Sequence, residues 1–483
     1  MKLYLCGHED RYALEQIQLA LFPEEPMEPV SAPFEGDGAV SALYRGKVWL
    51  TATAKITWHG KTAKAVGRMK AAEEDNPSRH RLLQNTYFKA AALLRNPPEW
   101  GSLSGVRPTK MTTRHLMQGG TETSARRLME ETYHVSPRRS RLCTECSLET
   151  VKAAKLLEPR DISIYVGIPF CPTRCAYCSF VSAGIRRAGR FLEPFLDCLL
   201  KEIEHVGKLV KQSGCRVRTL YMGGGTPTTL STPQMERLMD ALSSHFDLTN
   251  LLEYTVEGGR PDTLDPEKLR AIRSHGCDRI SINPQTMNDE VLKLIGRCHS
   301  SAQTAQACMD AKAAGFEGIN MDLIAGLPGD NPESFADSLQ KVLAFEPGNI
   351  TVHTLAIKKG ADLYFSRMGL PTAEAVDTML TGAEESLRKA GYRPYYLYRQ
   401  KYMSGSFENI GWCRPGFEGL YNIYMMEELH SIIALGGGGM TKINLPGGKL
   451  QRFHNPKFPQ QYIERIDDVL RQKEEAISLL SAR

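Results

Sequence analysis

The chain has 483 residues, 42% of them apolar and 24% charged, the balance of an ordinary globular protein. Its 60 Lys+Arg against 55 Asp+Glu leave a net charge of +5, too small to point to nucleic acid, and no long basic run exists. No apolar stretch reaches the roughly 18–20 residues of a membrane span, and the opening MKLYLCGHEDRYALEQ turns charged before a signal core can form, so the expectation is a cytoplasmic protein.

Three regions follow one another. Residues 1–155 read as an accessory α+β region. VSALYRGKVWLTATAKITWHGKTAKAVG (40–67) alternates apolar and polar residues, with breaks at Arg45-Gly46 and His59-Gly60, the pattern of a small antiparallel meander. Helical patterns come after Asn76-Pro77-Ser78 and near 110–118 and 124–133. Gly105 to Lys110 (GVRPTK) is a polar loop leading into a helix. Cys143 and Cys146 form a CxxC with no second pair nearby and no thioredoxin-like strand before it. It reads as a non-catalytic pair on a helix, with metal binding or redox cycling as the alternative.

Residues 156–375 alternate short β-branched runs with amphipathic helices. The runs are SIYVGI (163–168), VRTLYMG (217–223), EYTVE (253–257), DRISIN (278–283), GINMDLI (318–324) and NITVHTL (349–355). Strand and helix in alternation mean parallel pairing with right-handed crossovers. The expected fold is α/β, an open six-stranded (β/α)6 partial barrel; a doubly wound sheet fits the same rhythm.

Residues 376–483 read as a mainly helical domain covering the active-site mouth. They hold Tyr395, Tyr396 and Tyr398, which suit a β-strand better than a ligand shelf. They also hold Gly436 to Gly439, read as following a helix and serving either as a turn or as a place where backbone approaches a ligand.

Of twelve cysteines, Cys171, Cys175 and Cys178 form a CxxxCxxC directly after the first strand of the middle region, in YVGIPFCPTRCAYCSF. Three thiols on one short loop can converge on a metal centre. A closed zinc site normally takes four ligands, and no His follows at ligand spacing, so zinc needs a remote fourth donor. A cubane iron–sulfur cluster normally takes four thiolates, so three leave one iron open to a small ligand.

Other polar and glycine residues fall at the ends of later strands. Gly223, Gly224, Gly225 and Thr226 end the second. Glu257 closes the third, Asn283 and Gln285 the fourth, and Asp322 the fifth. In α/β barrels such ends share one mouth, where chemistry sits. His353, near the sixth, reads as a satisfied core polar group or a cap. Arg186, Arg187 and Arg190 follow the cysteine loop and read equally as a solvated loop or as cations for a carboxylate-rich substrate.

CxxxCxxC after a strand resembles the radical S-adenosylmethionine (SAM) superfamily. The order IPFCPTRCAYCSF, MGGGTPT, TVEGGRPDTLD, ISINPQTMNDEVLKLIGRCHS and INMDLIAGLPGDNPESF resembles the oxygen-independent coproporphyrinogen III oxidase family across most of 160–450. GVRPTK and Gly411 to Lys442 are similar to its HemZ branch.

The resemblance implies a 4Fe–4S cluster on Cys171, Cys175 and Cys178, and one SAM contacted by Tyr165, Gly224, Thr226 and Glu257. It also implies a second SAM lined by Tyr177, Gly225, Gln285, Arg297, Asp322 and Ala356. The activity it implies is oxidative decarboxylation of coproporphyrinogen III to protoporphyrinogen IX in anaerobic haem biosynthesis. The substrate is a tetrapyrrole, and the electron donor a flavodoxin or ferredoxin-type reductant. Position 180 is Phe, where proven oxidases of the family usually carry a further cysteine. CxxxCxxCxF also occurs in relatives that act as haem chaperones, which makes haem trafficking the alternative function.

Overall fold

Ile162, Ile164, Val166 and Ile168 are all buried, and so are the Ser163 and Gly167 that alternate with them. A strand covered on both faces is the mark of a parallel sheet packed between helices. The computed structural model describes residues 1–103, 105–178, 183–357, 369–399 and 407–481. By contact density the chain divides into two units, Met1–Thr144 and Glu145–Arg483.

The first unit has a five-stranded sheet of β1 (Lys2–Cys6), β2 (Glu28–Val30), β3 (Gly38–Arg45), β4 (Trp49–Trp58) and β5 (Lys61–Lys70), in the order β2-β1-β3-β4-β5. The expected meander is β3–β4–β5, antiparallel throughout. The helices Arg11–Leu21 and Asn76–Ala91 pack against this sheet. Leu14, Ile17, Tyr87 and Phe88 meet Leu3, Ala39, Ala54 and Ile56 in one core. Asp75 caps the second helix by accepting from the Ser78 amide at 2.7 Å, and Ser78 Oγ accepts from the Asp75 amide at 2.9 Å. Cys143 and Cys146 both lie wholly buried on the helix Pro137–Ala154.

In the second unit six strands run parallel in chain order: β6 (Asp161–Ile168), β9 (Arg216–Gly224), β10 (Glu253–Glu257), β11 (Arg279–Ser281), β12 (Gly318–Ala325) and β13 (Asn349–Thr354). The two-residue strands β7 (Phe170–Cys171) and β8 (Ala183–Gly184) pair with each other beside β6. Ser231, Asp265, Asn288, Ser300, Asn331 and Thr372 each cap a returning helix with a side-chain oxygen.

Helices make up more of the C-terminal region than strands, as expected, but the strands there join the barrel sheet. Residues 376–483 carry helices but also supply β14 (Arg393–Arg399), β15 (Glu408–Cys413), β16 (Ser431–Gly436), β17 (Met440–Leu445) and β18 (Lys449–His454). These extend the barrel sheet at both flanks. β16 runs parallel to β6, while β15 lies antiparallel to β13. The sheet reads β14-β15-β13-β12-β11-β10-β9-β6-β16-β17-β18 and stays open.

Gly436 to Gly439 therefore follow a strand, not a helix. SIIALG is short, β-branched and fully buried, and a run of that length does not reveal its period. Tyr395 and Tyr396 are core residues of a strand, as the sequence suggests.

Behind β16, the helix Ile466–Ser481 packs on the helix Leu192–Ser213. There Lys473 and Glu202, both 0% exposed, form an ion pair at 3.5 Å. Glu202 also accepts from Tyr462 Oη at 2.6 Å, the Gly436 amide at 2.7 Å and Asn455 Nδ2 at 3.0 Å. Every acceptor position thus has a donor, the condition under which a buried charge is tolerated.

Candidate active site at the strand mouth

The loop that carries the cysteines leaves β6 through Gly167, Ile168, Pro169 and Phe170. Its carbonyls are tied to the end of β9. Gly225 N donates to Ile168 O at 2.8 Å and Thr226 N to Phe170 O at 2.7 Å. A Cβ at Gly225 would sit 2.5 Å from Phe170 O, and one at Gly223 2.9 Å from the Glu257 carboxyl group. Gly224 has φ +107, a conformation that L side chains rarely adopt. The glycine run is thus what lets two backbones and Glu257 crowd together at the mouth.

Thr226 Oγ1 donates to Cys171 Sγ at 3.5 Å. Cys178 N closes a turn on Cys175 O, and Ala176 N donates to Ile295 O, both at 3.0 Å. The Tyr177 hydroxyl interacts with the Cys175 thiol and the Arg297 guanidinium. Arg297 is buried; its Nη1 donates to Asn283 O at 2.5 Å, while its Nε has no hydrogen-bond partner among the described residues. Gln285 holds a positive φ of 69 with its Oε1 unpartnered among the described residues, and its backbone is pinned by Asp322 O and Ile324 N, each at 2.9 Å. Strain of this kind tends to gather at functional sites.

Two carboxylates face this mouth with opposite tendencies. Burial raises Glu257 to about 7, against the hydrogen bond it accepts from Tyr221 Oη at 2.5 Å. Burial also pushes Asp322 upward, but His353 and the donors Asn320 and Thr351 outweigh it and hold Asp322 below its ordinary value. Asp322 Oδ2 lies 3.6 Å from His353 Nε2, and Asn320 Nδ2 donates to Asp322 Oδ1 at 2.9 Å. His353 thus faces Asp322 and serves no cap.

The structure brings Tyr165, Gly224, Thr226, Glu257 and the cysteine loop together. It also joins Gln285 to Asp322, and Tyr177 to Arg297. Ala356 is half-buried just past β13, after Leu355 N donates to Ala325 O at 2.9 Å. Arg186, Arg187 and Arg190 are exposed behind β8, with the Arg190 guanidinium 4.8 Å from the Phe191 ring centroid. Phe180 lies outside the described residues.

Sequence reasoning missed a stack of tyrosines. Tyr221 and Tyr421 lie at 4.4 Å between centroids, and Tyr165 lies 6.3 Å from each. Tyr221 was findable, since it shares the strand face of Glu257's neighbour Gly223. Tyr421 had no local signal. Also missed was Arg260, which reaches the cysteine loop at Thr173.

The donor set suits an iron–sulfur centre with an adjoining ligand pocket. Three thiols stand at a strand mouth beside a glycine cradle, with two orphaned polar atoms at Gln285 and Arg297. Among the described residues no three His, Cys, Asp or Glu side chains close on one ion. A cubane asks something else of its thiolates, one on each of three irons.

The sequence profile of the Radical SAM superfamily matches residues 165–342. The fold and the cysteine loop thus define a radical SAM protein, and membership implies a 4Fe–4S cluster and SAM. The oxygen-independent coproporphyrinogen-III oxidase-like protein HemZ of Bacillus subtilis (strain 168) is 40% identical over 376 residues, 76% of this chain and 75% of that protein. Heme chaperone HemW of Escherichia coli (strain K12) is 27% identical over 304 residues, 63% of this chain and 76% of the relative. The solved coproporphyrinogen III oxidase (HemN) from Escherichia coli, described as a radical SAM enzyme, shares the fold. Its TM-score is 0.55 and its identity 24%, covering 68% of this chain and 78% of that one. The chain belongs to the oxygen-independent coproporphyrinogen III oxidase-like family of the radical SAM superfamily, in its HemZ type. No helix among the described residues is long and apolar enough to cross a membrane.

Proposed function

We propose that the protein catalyses the oxidative decarboxylation of coproporphyrinogen III to protoporphyrinogen IX in anaerobic haem biosynthesis. The observation that carries this reading is the convergence of the cysteine loop, Gly223 to Gly225 and Glu257 on one mouth, in a chain 40% identical to a HemZ protein. When bound, the cluster and SAM supply one-electron chemistry able to remove a hydrogen atom from an unactivated C–H bond.

Cys171, Cys175 and Cys178 hold the irons as thiolates. Tyr165, Gly224, Thr226 and Glu257 hold SAM, with the Glu257 carboxylate accepting from ribose hydroxyls. Tyr177, Gly225, Gln285, Arg297, Asp322 and Ala356 line a second SAM position, where the free Arg297 Nε suits a carboxylate. Arg186, Arg187 and Arg190 meet substrate propionates. Each of two propionates loses a hydrogen atom and carbon dioxide, passes one electron to an acceptor, and becomes a vinyl group. The working compartment is the cytoplasm, with a flavodoxin or ferredoxin-type reductant.

The test is anaerobic incubation of the reconstituted protein with SAM, reductant and coproporphyrinogen III. Both 5′-deoxyadenosine and divinyl product should accumulate. Cofactor cleavage without any vinyl product would sink the oxidase reading.

A second reading, haem trafficking with the cluster retained, is favoured by Phe180 and by the HemW relatives. Tight stoichiometric haem binding without decarboxylation supports it over the first.

A further inference from the structure

From Gly38 to Lys70 the chain carries seven Lys and Arg and no Asp or Glu. This stretch is β3–β4–β5. The buried residues of β4, Leu50 to Ile56 in alternation, face the core of the first unit, so the intervening residues form the opposite face. The register sets Lys55 directly opposite Lys64, Thr51 opposite Arg68 and Trp49 opposite Lys70 on that face.

Lys55, Lys64 and Arg68 have no ion-pair partner among the described residues, and Lys70 has only Glu73 at 3.8 Å. Apolar groups stand open among them: Tyr44 is 56% exposed, Trp49 46% and Val66 59%. From Trp49 to Lys55 the face runs about 20 Å along the strand.

Two like charges directly opposite each other weaken a strand pair. Lysines on an edge strand such as β5 are commonly explained as protection against edge pairing. That explanation fails for Lys55, because β4 is flanked by β3 on one side and β5 on the other. Val66 lies between Lys55 and Lys64 on one side and Arg68 on the other, and Trp49 stands opposite Lys70, so open apolar groups bordered by cations give this face the anatomy of a protein interface. A nucleic acid would call for rings spaced along the face for successive bases. Here Tyr44 and Trp49 share the hairpin end, and Val66 occupies the middle.

We propose that the open face of β3–β4–β5 docks a protein partner whose contact surface is rich in carboxylates around an apolar pocket. Charge complementarity sets the partner's sign, and Trp49 and Val66 supply the anchor. The inference stands apart from the reading of the strand-mouth site.

The experiment uses the full chain with p-benzoylphenylalanine in place of Val66, irradiated in its own cells; the captured species, purified, becomes the binding probe. The expected adduct is a single acidic protein. Its binding to the native chain should fall at least tenfold between about 50 and about 300 mM salt, and at least tenfold in the Lys55→Glu, Lys64→Glu double variant. The Lys55→Gln, Lys64→Gln pair, which removes charge without reversing it, should give an intermediate loss of binding and a melting temperature no lower than the native one, since the like-charge pair is relieved. Absence of an adduct, or an adduct of RNA, lipid or a second copy, overturns the proposal. So does equal binding by the double variant.

Discussion

Arg260 holds Thr173 from beneath: its Nη1 accepts nothing and donates twice, to Thr173 Oγ1 at 2.6 Å and to Thr173 O at 3.3 Å. Thr173 stands between Cys171 and Cys175. The same guanidinium forks onto Asp262 at 3.0 and 3.1 Å, and Arg260 is only 2% exposed. A planar fork fixed at one end orients the other, which a lysine cannot do. The loop that presents the thiols is thereby shaped by residues of the chain itself.

Arg260→Ala and Arg260→Lys should both loosen that loop. The expected result is iron release to a chelator several-fold faster than in the native protein, with faster amide exchange across 171–178. Equal release rates in all three proteins would remove Arg260 from this role.

Cys171→Ala, Cys175→Ala and Cys178→Ala should each abolish the visible iron–sulfur absorbance after anaerobic reconstitution. The far-ultraviolet dichroism should stay native, since Cys171 and Cys178 are only half-buried and alanine at the buried Cys175 keeps a small apolar group there. Full iron content in any of the three would remove that cysteine from the ligand set.

Glu257 gives a pH prediction. Its carboxyl is raised from 4.5 to about 7 by burial, so the folded state favours the protonated form. That contribution is complete below about pH 4.5 and is lost as pH rises through about 7. Glu257→Gln, neutral throughout, should therefore melt higher than the native cluster-free protein at pH 8, with the gap closing at pH 4.5. The same variant should bind SAM roughly tenfold or more weakly, the effect of losing a hydrogen bond to a charged group. Unchanged SAM affinity would refute the ribose contact.

Lys473→Met should destabilise the protein by about 3–5 kcal/mol, because it strands the wholly buried Glu202. Adding Glu202→Gln should restore most of that loss. Denaturant unfolding of the two variants decides the matter; a double variant no better than the single one contradicts the pairing.

Tyr421→Leu removes one ring of the Tyr165–Tyr221–Tyr421 stack. A loss of about 0.5–1.5 kcal/mol beyond lost area is expected, which Tyr421→Phe should avoid. Equal destabilisation by both variants would mean that the hydroxyl, and not stacking, matters.

The strands of the barrel were readable because each is a short run rich in apolar and β-branched residues between helical patterns. DRISIN overshoots: β11 ends at Ser281, whose hydroxyl turns to Asn283 Oδ1 at 2.7 Å as the chain leaves the sheet. The cysteines and glycines were readable because their chemistry is local in spacing. Arg260, Tyr421 and the His353–Asp322 pair were not, since each acts through a side chain reaching across loops or from a distant strand. The same holds for β16, where a short buried run carries no period.

The β16 strand has a consequence for how the protein is made. The Gly437 amide donates to Gly167 O at 3.0 Å, just ahead of the thiol-bearing loop, and Gly436 leans on a carboxylate 234 residues upstream. While the ribosome is still working through the middle of the chain, that loop has no back wall. That wall is completed only once residue 437 has been made, so a chain cut before residue 431 would leave the thiol-bearing loop unsupported on that side.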